Sequence, residues 1–292
     1  MIPGHPECPE RLGAIREWLV AESLLDYLEQ EEAPAATREQ VSRVHTPEHV
    51  KFVYSLTPKS GLITIDADTA AGPATLEAAL HAAGGTVRAT EMVLQGEVDN
   101  AFCAVRPPGH HATSDTAMGF CFFNNVAVAA AHALEVGGLK RVAIVDFDVH
   151  HGNGTEEIFK DDERVMFCST YQTGIFPLVQ PYERPGRFVT VGLQGGMGSA
   201  EFREAVEKEW TPALDGFAPE MIFVSAGFDA HTADNIAELD FLDDDYRWIT
   251  HYLLETAARH AKGRLVSTLE GGYELGTLGR CAGMHIRELM GL

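Results

Sequence analysis

The chain has 292 residues, 45% of them hydrophobic and 22% charged, enough for one large core or two modest ones, and this composition excludes a disordered chain. A formal net charge of -21 argues against direct nucleic-acid binding, which depends on basic patches; it reads mainly as a solubilising surface that can also draw in cations. Five scattered cysteines with no C-x-x-C spacing, no apolar run of membrane-spanning length and an N-terminus without signal-peptide character give the expectation of a cytoplasmic protein off the membrane.

Strand-like apolar runs begin at Asn100 (NAFCAVR), Arg141 (RVAIVDF), Arg164 (RVMFCST), Arg187 (RFVTVGL), Met221 (MIFVSAG) and Arg264 (RLVSTLE). Helical patterns lie at 72–96, 124–136, 199–217 and 243–261. Short apolar strands alternating with helices predict an α/β fold with a mostly parallel sheet covered on both faces. With no linker, low-complexity segment or repeat, a single domain over 1–292 is expected. In such sheets, sites gather beyond the carboxyl ends of the strands. Four runs end in polar, titratable or glycine-rich residues: RPPGHH, DFDVHHGNG, SAGFDAH and LEGGY.

Asp148 and His150 are two apart, so on an extended segment their side chains face the same way and can share a ligand. Asp229, arriving on another strand, completes two carboxylates and an imidazole, a set suited to zinc or iron(II) with a coordination position left open. Asp146 faces the same side and can orient a histidine, whereas His151 points the opposite way and reads as a packed or capping residue. His110 and His111 follow a rigid Pro-Pro-Gly turn and can handle protons near neutral pH. Tyr273, after two glycines, can donate to a developing oxyanion.

Together GHPECPERL, RPPGHHA, GFCFFNNVAVAA, DFDVHHGNGT, SAGFDAH and LEGGY, in this order and across nearly the whole chain, resemble the zinc-dependent histone deacetylase family, which includes bacterial acetylpolyamine amidohydrolases and acetoin-utilisation proteins. The resemblance implies the arginase/deacetylase fold, with about eight mostly parallel strands sandwiched between helices. It implies Asp148, His150 and Asp229 as zinc ligands, His110 and His111 as catalytic imidazoles, and Tyr273 as the carbonyl-polarising phenol. Asp146 then stands behind His110 and Asn153 behind His111. Phe120 and Phe176 match the walls of an acyl-lysine channel, Gly119 a backbone carbonyl that meets the substrate amide, and Arg11 an arginine lining an interior passage for acetate, although a surface arginine on the first helix is an equal reading. A potassium ion is implied at Asp146, Asp148, His150 and Ser169. The expected chemistry is metal-assisted hydrolysis of an acetylated or longer acylated amine.

Departures from the family pattern sharpen these expectations. Asn153 stands where the main histone-directed enzymes carry aspartate, which resembles the class II branch and implies a lower pKa for His111. Ile236 occupies the place of a glutamate in polyamine-directed relatives, and Asn235 replaces a usual proline. An apolar residue there favours acyl-lysine or another neutral-chain amide over polyamines. His5 follows Met1 by four residues, so the family's N-terminal strand and rim loop are expected to be missing or shortened, with an open entrance and an exposed sheet edge that leaves oligomerisation open. The rival readings are a small-molecule or acetylpolyamine amidohydrolase, a catalytically weak acyl-lysine-binding scaffold, and an arginase-type ureohydrolase.

Overall fold

The computed structural model describes residues 4–182 and 184–292. Helix α1 (Glu10–Ala21) leads through a 3-10 turn at Leu25–Tyr27 to the short helices α2 (Arg38–Val41) and α3 (Pro47–Ser55). The two-residue strands β1 (Ile63–Thr64) and β2 (Ala70–Ala71) precede the long α4 (Thr75–Gln95), followed by β3 (Asn100–Cys103), α5 (Asn125–Glu135), β4 (Val142–Asp146), α6 (Asn153–Phe159), β5 (Val165–Gln172) and β6 (Phe188–Leu193). After α7 (Ser199–Ala205), a π-helical turn at Val206–Trp210 and α8 (Thr211–Phe217) come β7 (Ile222–Ala226), α9 (Asp243–His260), β8 (Leu265–Leu269) and α10 (Leu275–Leu289).

Among the described residues the central sheet has six parallel strands in the order β3-β8-β7-β4-β5-β6, all six where apolar runs predict them. It does not reach the eight that the resemblance implies. Among the described residues β1 and β2 pair only with each other, antiparallel, where Asp66 Oδ1 accepts from the Asp68 and Thr69 N–H groups and folds the chain straight back. Alternation then sets the layers. Ala143 and Val145 of β4 join the core under α1, α7–α8, α9 and α10, while Val142 and Ile144 face α4 and α5. A third apolar cluster ties α2 and α3 to α4. No helix among the described residues is long and apolar enough to cross a membrane.

The four strands whose ends carry the candidate residues, β3, β8, β7 and β4, are consecutive neighbours. Parallel pairing aligns their carboxyl ends, so residues 160 apart in sequence meet at one sheet edge, as where the His110 N–H donates to the Glu270 carboxylate.

Candidate metal centre and active site

β4 ends at Asp146, and the chain does not stay extended beyond it as the two-residue spacing suggested. Asp146 Oδ1 accepts from the Asp148 N–H at 3.1 Å, and Asp148 Oδ1 from the His150 N–H at 2.9 Å. Each aspartate curls the backbone over its own carboxylate, an Asx-type turn, and this curl rather than strand periodicity puts Asp148 and His150 on one side. Asp229 arrives from the end of β7, where its Oδ1 accepts from the Val149 N–H at 3.0 Å.

Donor atoms of Asp148, His150 and Asp229 all lie within 4.8 Å of one another. His150 Nδ1 stands 3.0 Å from Asp148 Oδ1 and 3.3 Å from Asp229 Oδ2, yet Asp229 Oδ2 is buried without a hydrogen-bond partner among the described residues. A buried carboxylate oxygen so left is costly unless a cation meets it. The electrostatics agree. Burial and the Asp148 carboxylate push Asp229 up to about 6, and although burial opposes charge on His150, Asp148 and Asp229 outweigh it and raise that imidazole to about 10. The pocket demands positive charge. A Cβ on Gly271 would collide with both Asp148 Oδ2 and Asp229 Oδ2, so only glycine lets the end of β8 close over the carboxylates, where the Gly271 N–H donates to Asp148 Oδ2 at 2.8 Å.

Beside this trio the two histidines of the Arg106–His111 turn differ. His110 Nδ1–H donates to Asp146 Oδ2 at 2.9 Å. Burial disfavours its charge, but Asp146 and Asp148 raise it to about 10, so it is an imidazolium near neutrality. His111 Nδ1–H donates to Asn153 Oδ1 at 2.8 Å, leaving Nε2 as an acceptor. Burial first, then the neighbouring His110 and His150, hold His111 well below the usual imidazole range. One ring carries charge and the other can take a proton.

Gly119 and Phe120 both have positive φ, +55° and +67°, between Met118 and Cys121, which exchange both backbone hydrogen bonds. This two-residue reversal strains Phe120, and its placement accounts for the strain: the ring meets Tyr273 edge-on at 5.9 Å and His5 at 4.6 Å. Phe176 lies edge-on to His111 at 4.8 Å and 6.3 Å from His150. Arg11 is fully buried, not a surface residue. Its Nε–H donates to the Gly272 carbonyl at 2.7 Å and its guanidinium lies 4.9 Å from the Tyr273 ring centroid. Tyr273 is partly buried, and burial pushes its phenol well above its ordinary range.

Other expected positions fall outside this cluster of contacts. Ile236 is partly buried against the main core, and its N–H donates to Asp234 Oδ1. Ser169 pairs in register with Asp146, and its hydroxyl is buried without a partner among the described residues. His151 packs as read: it bonds Glu156 at 2.9 Å and its ring faces Tyr171. Two carboxylates escape the sequence reading. Asp234 Oδ2 accepts from the Tyr273 N–H at 2.6 Å and the Glu274 N–H at 3.0 Å; Glu270 Oε2 accepts from the Gly109 N–H at 2.6 Å and the His110 N–H at 3.1 Å. Glu270 shared the signal that marked Asp146, a charge at the end of a buried strand, but LEGGY drew attention only to its tyrosine.

A second trio, His231, Asp243 and Cys281, also has donors within 4.8 Å. There His231 Nδ1 accepts from the Ala233 N–H, so the proton sits on Nε2 and is donated to Asp243 Oδ1 at 3.0 Å. The lone pair that a metal would need is already used.

Comparisons with known proteins agree with this geometry. The histone deacetylase domain model matches residues 5–289. The histone deacetylase-like amidohydrolase of Pseudomonas aeruginosa is 38% identical over 296 residues, covering 99% of this chain and 78% of that protein. The polyamine deacetylase HDAC10 of Homo sapiens is 36% identical, over 98% of this chain and 45% of that one. The crystal structure of the HDA15 HD domain superposes with a TM-score of 0.90 at 33% identity, covering 99% of this chain and 85% of that one. The chain thus belongs to the histone deacetylase family and is a hydrolytic deacetylase of that family, a membership that implies a metal cofactor.

Proposed function

We propose that the chain hydrolyses the amide of an acetylated or longer acylated lysine-like amine in the cytoplasm, with zinc or iron(II) held by Asp148, His150 and Asp229. The orphaned Asp229 Oδ2 inside a trio of converging donors carries this reading, since a divalent cation removes the cost of burying it. When bound, the cation supplies Lewis acidity towards the acyl oxygen and the attacking water. His111, neutral and with Nε2 free to accept, takes the water proton and passes it to the departing amine. His110, held as imidazolium by Asp146, offsets negative charge as the carbonyl is attacked. Tyr273 keeps its phenolic proton across the working pH range and donates it as a hydrogen bond to the oxyanion. Phe120 and Phe176 flank the acyl chain, and the Gly119 carbonyl meets the substrate N–H. The unpartnered Ser169 hydroxyl beside Asp146 suits a potassium ion shared with Asp146, Asp148 and His150. Arg11, buried against Gly272 and Tyr273, fits an interior wall along which acetate leaves.

The apolar Ile236 favours lysine-like over polyamine substrates. The test compares kcat/KM on acetyl-lysine peptides, longer acyl-lysines and acetylpolyamines with zinc-loaded and iron(II)-loaded protein. Tyr273→Phe is expected to lower kcat about 10²–10³-fold, as for loss of one oxyanion donor. His111→Ala is expected to abolish turnover. Activity that survives both changes rejects the site, and a marked preference for acetylspermidine rejects the substrate class.

A further inference from the structure

Glu270 is fully buried at the end of β8, and its carboxylate accepts only from neutral donors among the described residues: the Gly109 and His110 N–H groups on Oε2 and the Ser225 hydroxyl on Oε1 at 3.2 Å. The His110–His111 turn is therefore clamped from two sides. From α6, the Gly154 and Thr155 N–H groups donate to the His110 carbonyl at 3.0 and 3.2 Å, which sets His111 against Asn153 on the same helix. From the sheet, Glu270 ties the turn to β8 and, through Ser225, to β7, which sets His110 against Asp146 on the adjoining β4.

We propose that Glu270 is a positioning residue for the acid–base pair, acting through the length and acceptor geometry of its side chain rather than through its charge. Burial pushes its carboxyl up to about 7, so near neutrality it is already partly uncharged while still able to accept both amides on one oxygen. Glutamine reproduces that arrangement, with Oε1 taking the two N–H groups and its amide facing Ser225. Aspartate keeps a carboxyl group but withdraws the acceptor by about one C–C bond, 1.5 Å.

The inference rests on the reading of His110 and His111 as the acid–base pair, and two conservative variants with two readouts test it. Glu270→Gln is expected to keep kcat within about threefold of the parent. Glu270→Asp is expected to lose about 10²-fold in kcat with KM unchanged, the cost of a misplacement near 1 Å. Hydrogen–deuterium exchange at Gly109 and His110 is expected to quicken in the Asp variant and not in the Gln variant. The reverse order, with the Asp variant active and the Gln variant crippled, overturns the proposal, as do two parent-like variants or a loss confined to KM. If the parent protein hydrolyses no acylated amine, the functional reading fails, while amide exchange still decides whether Glu270 holds the turn.

Discussion

Asp229 and His231 stand two residues apart on the loop after β7, yet each belongs to a different trio of potential metal donors. Around Asp229 the account does not close: two carboxylates and an imidazole converge, one oxygen is orphaned, and the ring beside them is driven towards the charged form. Around His231 it closes completely. Arg280 donates to Asp243 Oδ2 at 2.7 Å, His231 and Cys281 donate to Asp243 Oδ1, and burial pushes the Cys281 thiol up, away from the thiolate that ligation needs. Each place brings three potential donors within 4.8 Å of one another. Unmet demand for positive charge separates a metal centre from a hydrogen-bonded cluster.

The most direct way to break this comparison is to remove one carboxylate from each trio. Asp229→Asn is expected to abolish stoichiometric metal binding after dialysis and re-loading, and with it all turnover, because the orphaned oxygen becomes an amide and the net demand for a cation falls. Elemental analysis measures the first and a deacetylation assay the second. Retention of one tightly bound divalent ion by Asp229→Asn would move the centre elsewhere.

A smaller effect sharpens the contrast between the histidines. Asn153 offers His111 a neutral acceptor, so Asn153→Asp places a carboxylate on Nδ1 and favours the imidazolium. If His111 works as the neutral base, its loss on protonation sets the acidic limb of kcat/KM. That limb is expected to move to higher pH in the Asp variant. An unmoved limb would remove His111 from the base role.

Two buried histidines outside the candidate site follow the opposite rule to His110. Among the described residues no carboxylate bonds His45 or His285, and burial, joined by His49 in the case of His45, holds both down near 3. His285 instead shares hydrogen bonds with the Thr250 and Ser267 hydroxyls. Their folded pKa values lie below the unfolded value of about 6.5, so between about pH 6.5 and 3 the unfolded chain binds more protons. Their stabilisation is complete above pH 6.5 and is lost as the pH falls. Thermal melts are expected to weaken progressively over that window, with proton uptake on unfolding at pH 5. A flat melting temperature from pH 7 to 4 would contradict it.

The sequence was legible where one physical rule acted on few residues. All six strands of the central sheet announced themselves as apolar runs, since burial on both faces leaves little room for polar side chains. The candidate metal trio stood out because charges at the ends of such strands have few tolerable explanations. Register and partners were less so. Nothing in GFCFF foretells that Phe120 takes a left-handed conformation, and nothing in PERL foretells that Arg11 is buried, because both follow from what the rest of the fold packs against them. Asp234 and Glu270 were missed for a related reason: their partners are backbone N–H groups, which every sequence supplies and none advertises.

The mildest change completes the contrast. In Asp243→Asn the amide oxygen can still accept from His231 and Cys281, while its NH2 group faces Arg280 and cannot accept from it. The lost pair is only partly buried, with the Asp243 side chain 36% and the Arg280 side chain 42% exposed, so solvent screens much of its worth. A cost of about 1 kcal/mol or less is expected, which corresponds to a shift of roughly 2 °C in Tm for a chain of this size. Metal stoichiometry and kcat are expected to be unchanged, because the cluster's groups already satisfy one another. Loss of a bound metal equivalent on this substitution would mean that the His231 proton can be displaced after all, and that a closed hydrogen-bond account does not exclude a site.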